Sequence, residues 1–521
     1  MSKITCYRGH IRNWEALASE LNIDAKSMSR EAREEAILLA AYEAWHEDMG
    51  NHLHGMFALA IEDGGKLFAI RDQFGTKPFY YYITEEGKLL YGTYIRDILT
   101  QPGFEKKLNE KMLQLYLSLT YVAGEETFFD GIMKLMPGQF MIFENEELYI
   151  EEYWSPDFAH PDEIAEEKES LEDFADEIHE TMQQMFREVK TPDEKVESFL
   201  SGGVDSSYVF ALSDAEEADT CGYEEARFDE SYLAAETAKN LGRKLNRLCV
   251  EPEDYFAVVP DVMRDMEQPL GDASAIVFTL GCRAAAEHTK ICYSGEGSDE
   301  MFGGYNMYRN ADRYGENLPS FYVGNTNIMK EDMKEKILKN YDPSVFPIHL
   351  AKDIYEETEG YDYLSQMQEV DIRIWLEGDI YLNVDKMSTA AGLEIRMPIT
   401  DTRMFDIAAR LPREFKVNEE QNKVAFRTAA AKVLPEEVAF RKKLGFIVPI
   451  RIWMADSKYN QDVVRLFHSD IAEKFFHVDE INKIFDAYVG GDSDLWRQVW
   501  TIYTFLVWYE IYFVKNEMRE A

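Results

Sequence analysis

The stretch Phe199-Leu200-Ser201-Gly202-Gly203-Val204-Asp205-Ser206-Ser207 has the makings of an anion cradle. An apolar run enters it (Val196, Phe199, Leu200) and another leaves it (Tyr208 to Leu212), which predicts a strand, a tight turn and the start of a helix. Adjacent glycines let backbone approach an anion closely, and a helix start aims free N–H groups at it. Ser201, Ser206 and Ser207 add hydroxyl donors, and Asp205 could hold a divalent cation against phosphate oxygens. The bland reading is a capped helix after a Gly-Gly turn. A second stretch, Ser294-Gly295-Glu296-Gly297-Ser298-Asp299-Glu300 through Gly303-Gly304-Tyr305, also follows a strand-like run. Asp299 could join Asp205 in holding Mg²⁺, and Glu296 suits a general acid/base or a substrate contact. Its bland reading is a solvated acidic loop, but four glycines imply close backbone approach.

Two further stretches are weaker alone. Asn383 to Thr389 leads into Gly392-Leu393-Glu394-Ile395-Arg396, which reads as a helix, a break and a Glu394/Arg396 pair. A structural ion pair explains it as well as chemistry does. Phe440-Arg441-Lys442-Lys443-Leu444-Gly445-Phe446 is a basic cluster in an acidic chain, suited to a polyphosphate or to a solvated turn.

These stretches need a scaffold. Residues 1–155 alternate as hairpins: Gly55–Ile61 with Lys66–Ile70 across Glu62-Asp63-Gly64-Gly65, Pro78–Ile83 with Leu89–Thr93, and Gly138–Phe143 with Glu147–Ile150. Glu31 to His46 is predicted as an amphipathic helix, and the hairpins as stacked antiparallel sheets. Residues 156–170, with two prolines and a run of acids, read as a linker. From Leu171 strands and helices alternate, which predicts a parallel sheet with ligands at the carboxyl ends of its strands. Thr501 to Val514, interrupted by Glu510, reads as a buried C-terminal helix rather than a membrane span.

At 521 residues the chain is long enough for more than one domain, and 46% hydrophobic with 29% charged residues is ordinary for a globular protein. The net charge of −42 argues against binding nucleic acid or an anionic membrane surface. Five cysteines without metal-ligand spacing, and no signal peptide, point to a reducing cytoplasm.

The four stretches, in their order and spacing over roughly residues 171–515, resemble the synthetase half of the glutamine-dependent asparagine synthetase family. The resemblance implies an α/β chain. Residues 171–521 would be a PP-loop ATP pyrophosphatase domain (adenine nucleotide α-hydrolase-like), a parallel sheet with helices. It implies that Mg-ATP adenylates a side-chain carboxylate, most simply aspartate, that pyrophosphate leaves, and that ammonia displaces AMP. Ser201, Gly202, Gly203, Asp205, Ser206 and Ser207 would then be the pyrophosphate loop. Leu200, Cys221, Ser294 and Gly295 would line the ATP site, and Asp205 and Asp299 would hold Mg²⁺. Glu296 would act where the intermediate forms, and Lys443 would stabilise charge during adenylation and amide formation. Glu267-Gln268-Pro269 through Ala275 resembles the substrate-side loop of that family.

Residues 1–155 resemble the later part of the family's glutaminase domain, an N-terminal-nucleophile (Ntn) hydrolase-like antiparallel β-sandwich, here shortened. Gly55-Met56-Phe57, Arg71-Asp72 and Leu135-Met136-Pro137-Gly138 follow its scaffold. The chain begins Met1-Ser2-Lys3 where members begin Met-Cys-Gly, Arg8-Gly9-His10 replaces Asn-Gly-Glu, and Arg33 falls where an aspartate is expected. The domain is therefore expected to be an inactive scaffold, with nitrogen from ammonia or a partner glutaminase. A dimer or a completing subunit is expected to cover its edge strands. The β-lactam synthetase relatives, which use an amine of the substrate itself, are the alternative, although that branch typically has no glutamate at the position of Glu296. A non-catalytic interaction subunit is the third reading.

Overall fold

The computed structural model describes residues 2–166, 168–190, 194–324, 326–442, 445 and 447–517. The N-terminal part is built on an antiparallel sheet of β1 (Lys3–Ile11), β2 (Gly55–Asp63), β3 (Lys66–Arg71), β7 (Gln139–Glu144) and β8 (Glu147–Glu152), in that order. A three-stranded sheet of β4 (Tyr80–Ile83), β5 (Leu89–Gly92) and β6 (Met133–Lys134) accompanies it, in the order β5-β4-β6. The three predicted hairpins are β2/β3, β4/β5 and β7/β8. Their turns use positive φ where the twist of a hairpin demands it, at Gly64 and Gly65 and at Asn145 and Glu146. The predicted helix is Arg30–Trp45, capped by Ser29, and it buries Ile37, Leu38, Ala41 and Tyr42 on the large sheet.

The second sheet is parallel, in the order β11 (Lys244–Cys249), β10 (Glu217–Gly222), β9 (Val196–Phe199), β12 (Ile291–Tyr293) and β13 (Glu394–Arg396). The chain moves outward from β9 in one direction, then crosses over to β12 and moves outward in the other. The reversal lies between β9 and β12, where an open α/β sheet leaves a crevice outside its carboxyl ends. Both glycine-rich stretches leave the sheet there, one after each of these two strands. The helix Leu171–Glu188 opens this half with a Ser170/Asp173 capping box and buries Phe174, Ile178, Met182 and Met185. A long helical run, Tyr363–Val370 continuing through the π-helical Asp371–Tyr381 into Leu382–Ala391, crosses the interface between the two halves. Gly392, at φ +74°, ends it before β13, so the predicted helix and break are both present.

Residues 156–170 are more than a spacer. They contain the short helix Pro161–Glu166, and Phe158 is buried edge-on against Phe405 with ring centroids 5.1 Å apart. The C-terminal helix Trp496–Tyr509 is buried along nearly its whole length around Trp500 and Trp508. Among the described residues no helix is long and apolar enough to cross a membrane.

Candidate active site

The turn after β9 is held shut by its own hydroxyls. The Ser201 N–H donates to Ser206 Oγ (3.1 Å), the two serine hydroxyls lie 2.9 Å apart, and the Gly203 N–H donates to Ser201 Oγ (3.2 Å). Gly202, at φ +83°, passes so close to Leu233 and Ala234 that a Cβ would sit 2.6–2.7 Å from them, so no other residue fits. Gly203 caps the helix Val204–Leu212, and Ser207 in its first turn is fully buried with an Oγ that meets no hydrogen-bond partner. A buried orphan hydroxyl at a helix N-terminus suits an anion. Arg441, from the predicted basic cluster, donates to the Gly202 carbonyl (2.7 Å) and holds Glu236 at 2.6 Å, so it braces the loop from outside.

The two glycine-rich loops meet. A Cβ on Gly295 would lie 2.9–3.1 Å from the Asp205 backbone carbon, the Ser206 nitrogen and the Asp205 Cβ. Asp205 and Asp299 thereby face each other across the Lys423 ammonium, at 2.6 Å and 2.7 Å, with Ser298 Oγ also 2.9 Å from Lys423 Nζ. Gly304 makes room for that contact, since a Cβ there would fall 1.7 Å from Asp299 Oδ1 and 2.3 Å from Lys423 Cε. Lys423 is almost fully buried and adopts left-handed backbone (φ +56°) just ahead of the helix Val424–Ala430. Arg427, one turn on, fixes it by donating to the carbonyls of Asn422, Ala439 and Arg441.

Glu296 is half-buried beside the same crevice. The Ser294 hydroxyl donates to its carboxylate (3.2 Å) and the Thr400 hydroxyl to its carbonyl (3.3 Å). Gly297, at φ +89°, brings the loop under the Tyr381 hydroxyl, where a Cβ would be 2.5 Å away. Leu200 is buried at the carboxyl end of β9, its N–H donating to the Asp219 carbonyl (2.9 Å). Cys221 is the penultimate residue of β10, with Sγ 3.8 Å from the Val277 carbonyl. Burial, reinforced by Asp219, pushes its thiol up to about 12, so it is a neutral lining group rather than a nucleophile. Lys443 lies outside the described residues.

Leu200, Ser201, Gly202, Gly203, Asp205, Ser206, Ser207, Ser294, Gly295, Glu296 and Asp299 thus lie on the two loops that meet at this edge. The arrangement suits a polyphosphate: oriented N–H groups and hydroxyls on one side, and a carboxylate pair that already accommodates a cation on the other. That carboxylate pair would suit Mg²⁺ as well as the Lys423 ammonium it now holds.

Sequence reasoning missed Lys423. It is a single lysine after Asn418-Glu419-Glu420-Gln421-Asn422, and its one local cue is the i,i+4 spacing to Arg427. Glu267 and Gln268, read above as part of a substrate-side loop, have other partners. The fully buried Glu267 accepts the Ile95 and Arg96 N–H groups (3.0 and 3.1 Å) and pairs with Lys386, and Gln268 accepts the Phe128 N–H (3.0 Å).

In the N-terminal part Arg8, His10 and Arg33, three of the departures noted above, are engaged. Arg8 binds Asp385 (2.9 Å) and the Thr389 hydroxyl (2.9 Å), and Lys77 binds the same Asp385 (2.8 Å). His10 is buried beside Glu394, and burial pushes its imidazole well below the usual range. Arg33 lies 3.8 Å over the Trp14 ring. The Glu394/Arg396 pair exists at 2.8 Å, but Glu394 also takes Arg30 (2.7 Å), so the third stretch is an interface anchor.

Comparison with known proteins identifies the family. Residues 177–510 match the asparagine synthase family, and residues 2–154 match the glutamine amidotransferase domain family. The chain is similar to "Asparagine synthetase [glutamine-hydrolyzing] 1" of Bacillus subtilis (strain 168), 30% identical over 555 aligned residues that cover 99% of this chain and 86% of that one. It is also similar to "Asparagine synthetase [glutamine-hydrolyzing] 3" of the same organism, 26% identical over 84% of this chain and 74% of that one.

Proposed function

As a member of the asparagine synthase family, the chain is an ATP-dependent carbon–nitrogen ligase acting on small molecules, and on that premise we propose that it adenylates the side-chain carboxylate of aspartate and forms asparagine with free or partner-supplied ammonia. The observation that carries the reading is the Asp205–Lys423–Asp299 bridge directly against the Gly202–Ser207 turn. A carboxylate oxygen of the substrate attacks the α-phosphorus, pyrophosphate leaves into the turn, and the amine then displaces AMP. Asp205 and Asp299 would hold Mg²⁺, which would supply positive charge for the polyphosphate when bound. Preorganised cations and N–H groups are the strongest lever on such a step, each worth about 10²–10³ in rate.

Glu296 would act on the substrate side, and Lys443, by the family resemblance, would stabilise charge that develops during adenylation. On our reading residues 1–155 are a scaffold for residues 171–521. Cys6, the single cysteine before Cys221, is half-buried on β1, and burial together with Asp97 raises its thiol, so it makes a poor thioester nucleophile. Arg8 and His10 are turned to the synthetase half rather than to a glutamine. The unpaired thiols among the described residues fit a reducing, cytoplasmic setting.

The test is pyrophosphate release from Mg-ATP with aspartate and a panel of amino-carboxylates, with and without ammonium. Turnover with aspartate and ammonium that glutamine cannot replace supports the reading. Turnover with one amino acid derivative and no added amine moves the chain to the cyclising ligases. Absence of both turnover and ATP binding refutes it. Lys443→Ala is expected to abolish product formation while ATP still binds, as equilibrium dialysis against labelled ATP would show.

A further inference from the structure

On strands β9 and β10 of the parallel sheet lies a cluster that the proposed reaction does not use. In the register of β9 with β10, Glu197 pairs with Glu217, and Asp219 pairs with Phe199. Glu197 and Asp219 are therefore diagonal neighbours on one face of the sheet. His288 arrives from a third segment, just after the helix Ser274–Ala285. Its Nε2 lies 2.9 Å from Glu197 Oε2 and 3.4 Å from Asp219 Oδ1. Glu197 is 0% exposed and Asp219 6%, whereas the His288 side chain is 35% exposed and opens the cluster to solvent.

Two buried carboxylates on neighbouring strands repel each other unless a cation or a proton sits between them. The protein cations present do not fully meet the need. Lys195 Nζ touches Glu197 Oε1 at 2.5 Å, but it is half exposed and shared with Glu217 at 3.6 Å. Asn246 Nδ2 lies 3.3 Å from His288 Nε2 and 3.3 Å from Glu217 Oε2, at the rim. Asp219 Oδ2 is buried, and Glu197 and the Asn246 amide are the further neighbours of its carboxylate.

One imidazole nitrogen and two carboxylate oxygens, drawn from three separate segments, lie with no two of the three donor atoms more than 4.8 Å apart. The edge of a tetrahedron with metal–ligand bonds of about 2.0–2.1 Å is roughly 3.3 Å, and the measured 2.9 and 3.4 Å bracket it. A mixed nitrogen–oxygen donor set favours a borderline transition metal over Mg²⁺ or Ca²⁺. We propose that Glu197, Asp219 and His288 bind a divalent transition-metal ion of the zinc class, with the fourth position open to solvent past His288. The ion ties β9 to β10 beneath the turn that β9 feeds, and its role is structural. The ordinary alternative is a proton shared by the two carboxylates and capped by His288, with no metal affinity.

The test uses the full chain freed of metal by dialysis against a chelator, then titrated with Zn²⁺ in competition with a chromophoric chelator, and separately with Co²⁺ read by its visible absorption. The expected result is one site in the wild type that His288→Gln and Asp219→Asn each weaken at least tenfold. A rise in Tm with Zn²⁺ should accompany it, absent in both variants, and Mg²⁺ should not reproduce it. Should Asp219→Asn fail to fold, His288→Gln decides alone, because its side chain is partly exposed. Equal Zn²⁺ affinity in wild type and variant would assign the ion to other ligands, such as the thiols. Either that result or no binding below about 0.1 mM in the wild type, a Kd too weak for a resident ion, overturns the proposal.

Discussion

Lys423 is the residue on which the site turns. Its ammonium keeps Asp205 and Asp299 together, and on our proposal the same carboxylate pair would hold Mg²⁺. Lys423→Met is expected to lower pyrophosphate release by about 10²–10³-fold. Because it leaves two carboxylates facing each other, the variant should also gain more in Tm from millimolar Mg²⁺ than the wild type does. Differential scanning fluorimetry with and without Mg²⁺ reads this, and an equal gain in both proteins would deny the carboxylate pair its cation role. At this scale legibility depended on local pattern. Ser201 to Ser207 is contiguous, and its glycines and hydroxyls state their use in sequence. Lys423 is one lysine among polar neighbours, brought in by left-handed backbone and by Arg427, neither of which composition reveals.

At the scale of elements, the centre is made by two loops from β9 and β12 touching through backbone. Gly295→Ala puts a methyl within about 3 Å of the Asp205 and Ser206 main chain, and neither of those atoms can swing aside. The expected outcome is lost ATP binding with the circular dichroism spectrum retained; normal ATP affinity in that variant would mean that the loops need not meet. The hairpins were legible because period-2 runs end at glycine turns, as at Glu62 to Gly65, and the parallel sheet because strands alternate with helices, whereas the strand order and β13 were not. The π-helical Asp371–Tyr381 was not, since nothing in its residues departs from an ordinary helix. Its Glu377 is fully buried between Arg71 (2.9 Å) and Lys134 (2.7 Å) of the N-terminal part. Glu377→Ala leaves two buried cations unpaired, and chemical denaturation should show a loss of about 3–5 kcal/mol.

Across the whole molecule, arginines and lysines of residues 1–155 are set against carboxylates of the synthetase half: Arg8 and Lys77 on Asp385, Arg12 on Asp401, and Arg30 on Glu394. This interface was read in sequence as lost glutamine contacts and as an ambiguous ion pair, because each partner lies more than 300 residues from the other. It carries a pH signature. Burial pushes the Asp401 carboxyl up, but Arg12 and Arg403 outweigh it and hold it at about 2. A carboxyl depressed in the folded state stabilises fully above its unfolded value near 3.8 and loses that contribution as pH falls toward about 2, here roughly 2 kcal/mol. Arg12→Ala should therefore raise the pH midpoint of acid unfolding, and an unchanged midpoint would remove Asp401 from the account. The interface ties the N-terminal part to the half that carries the proposed ATP-splitting centre, and the proposal that this centre adenylates a carboxylate is testable by following one oxygen. With ¹⁸O in the aspartate side-chain carboxylate, Mg-ATP and ammonium, mass spectrometry should find one ¹⁸O in AMP and none in pyrophosphate. Label in inorganic phosphate alongside ADP, or AMP without label, would contradict it.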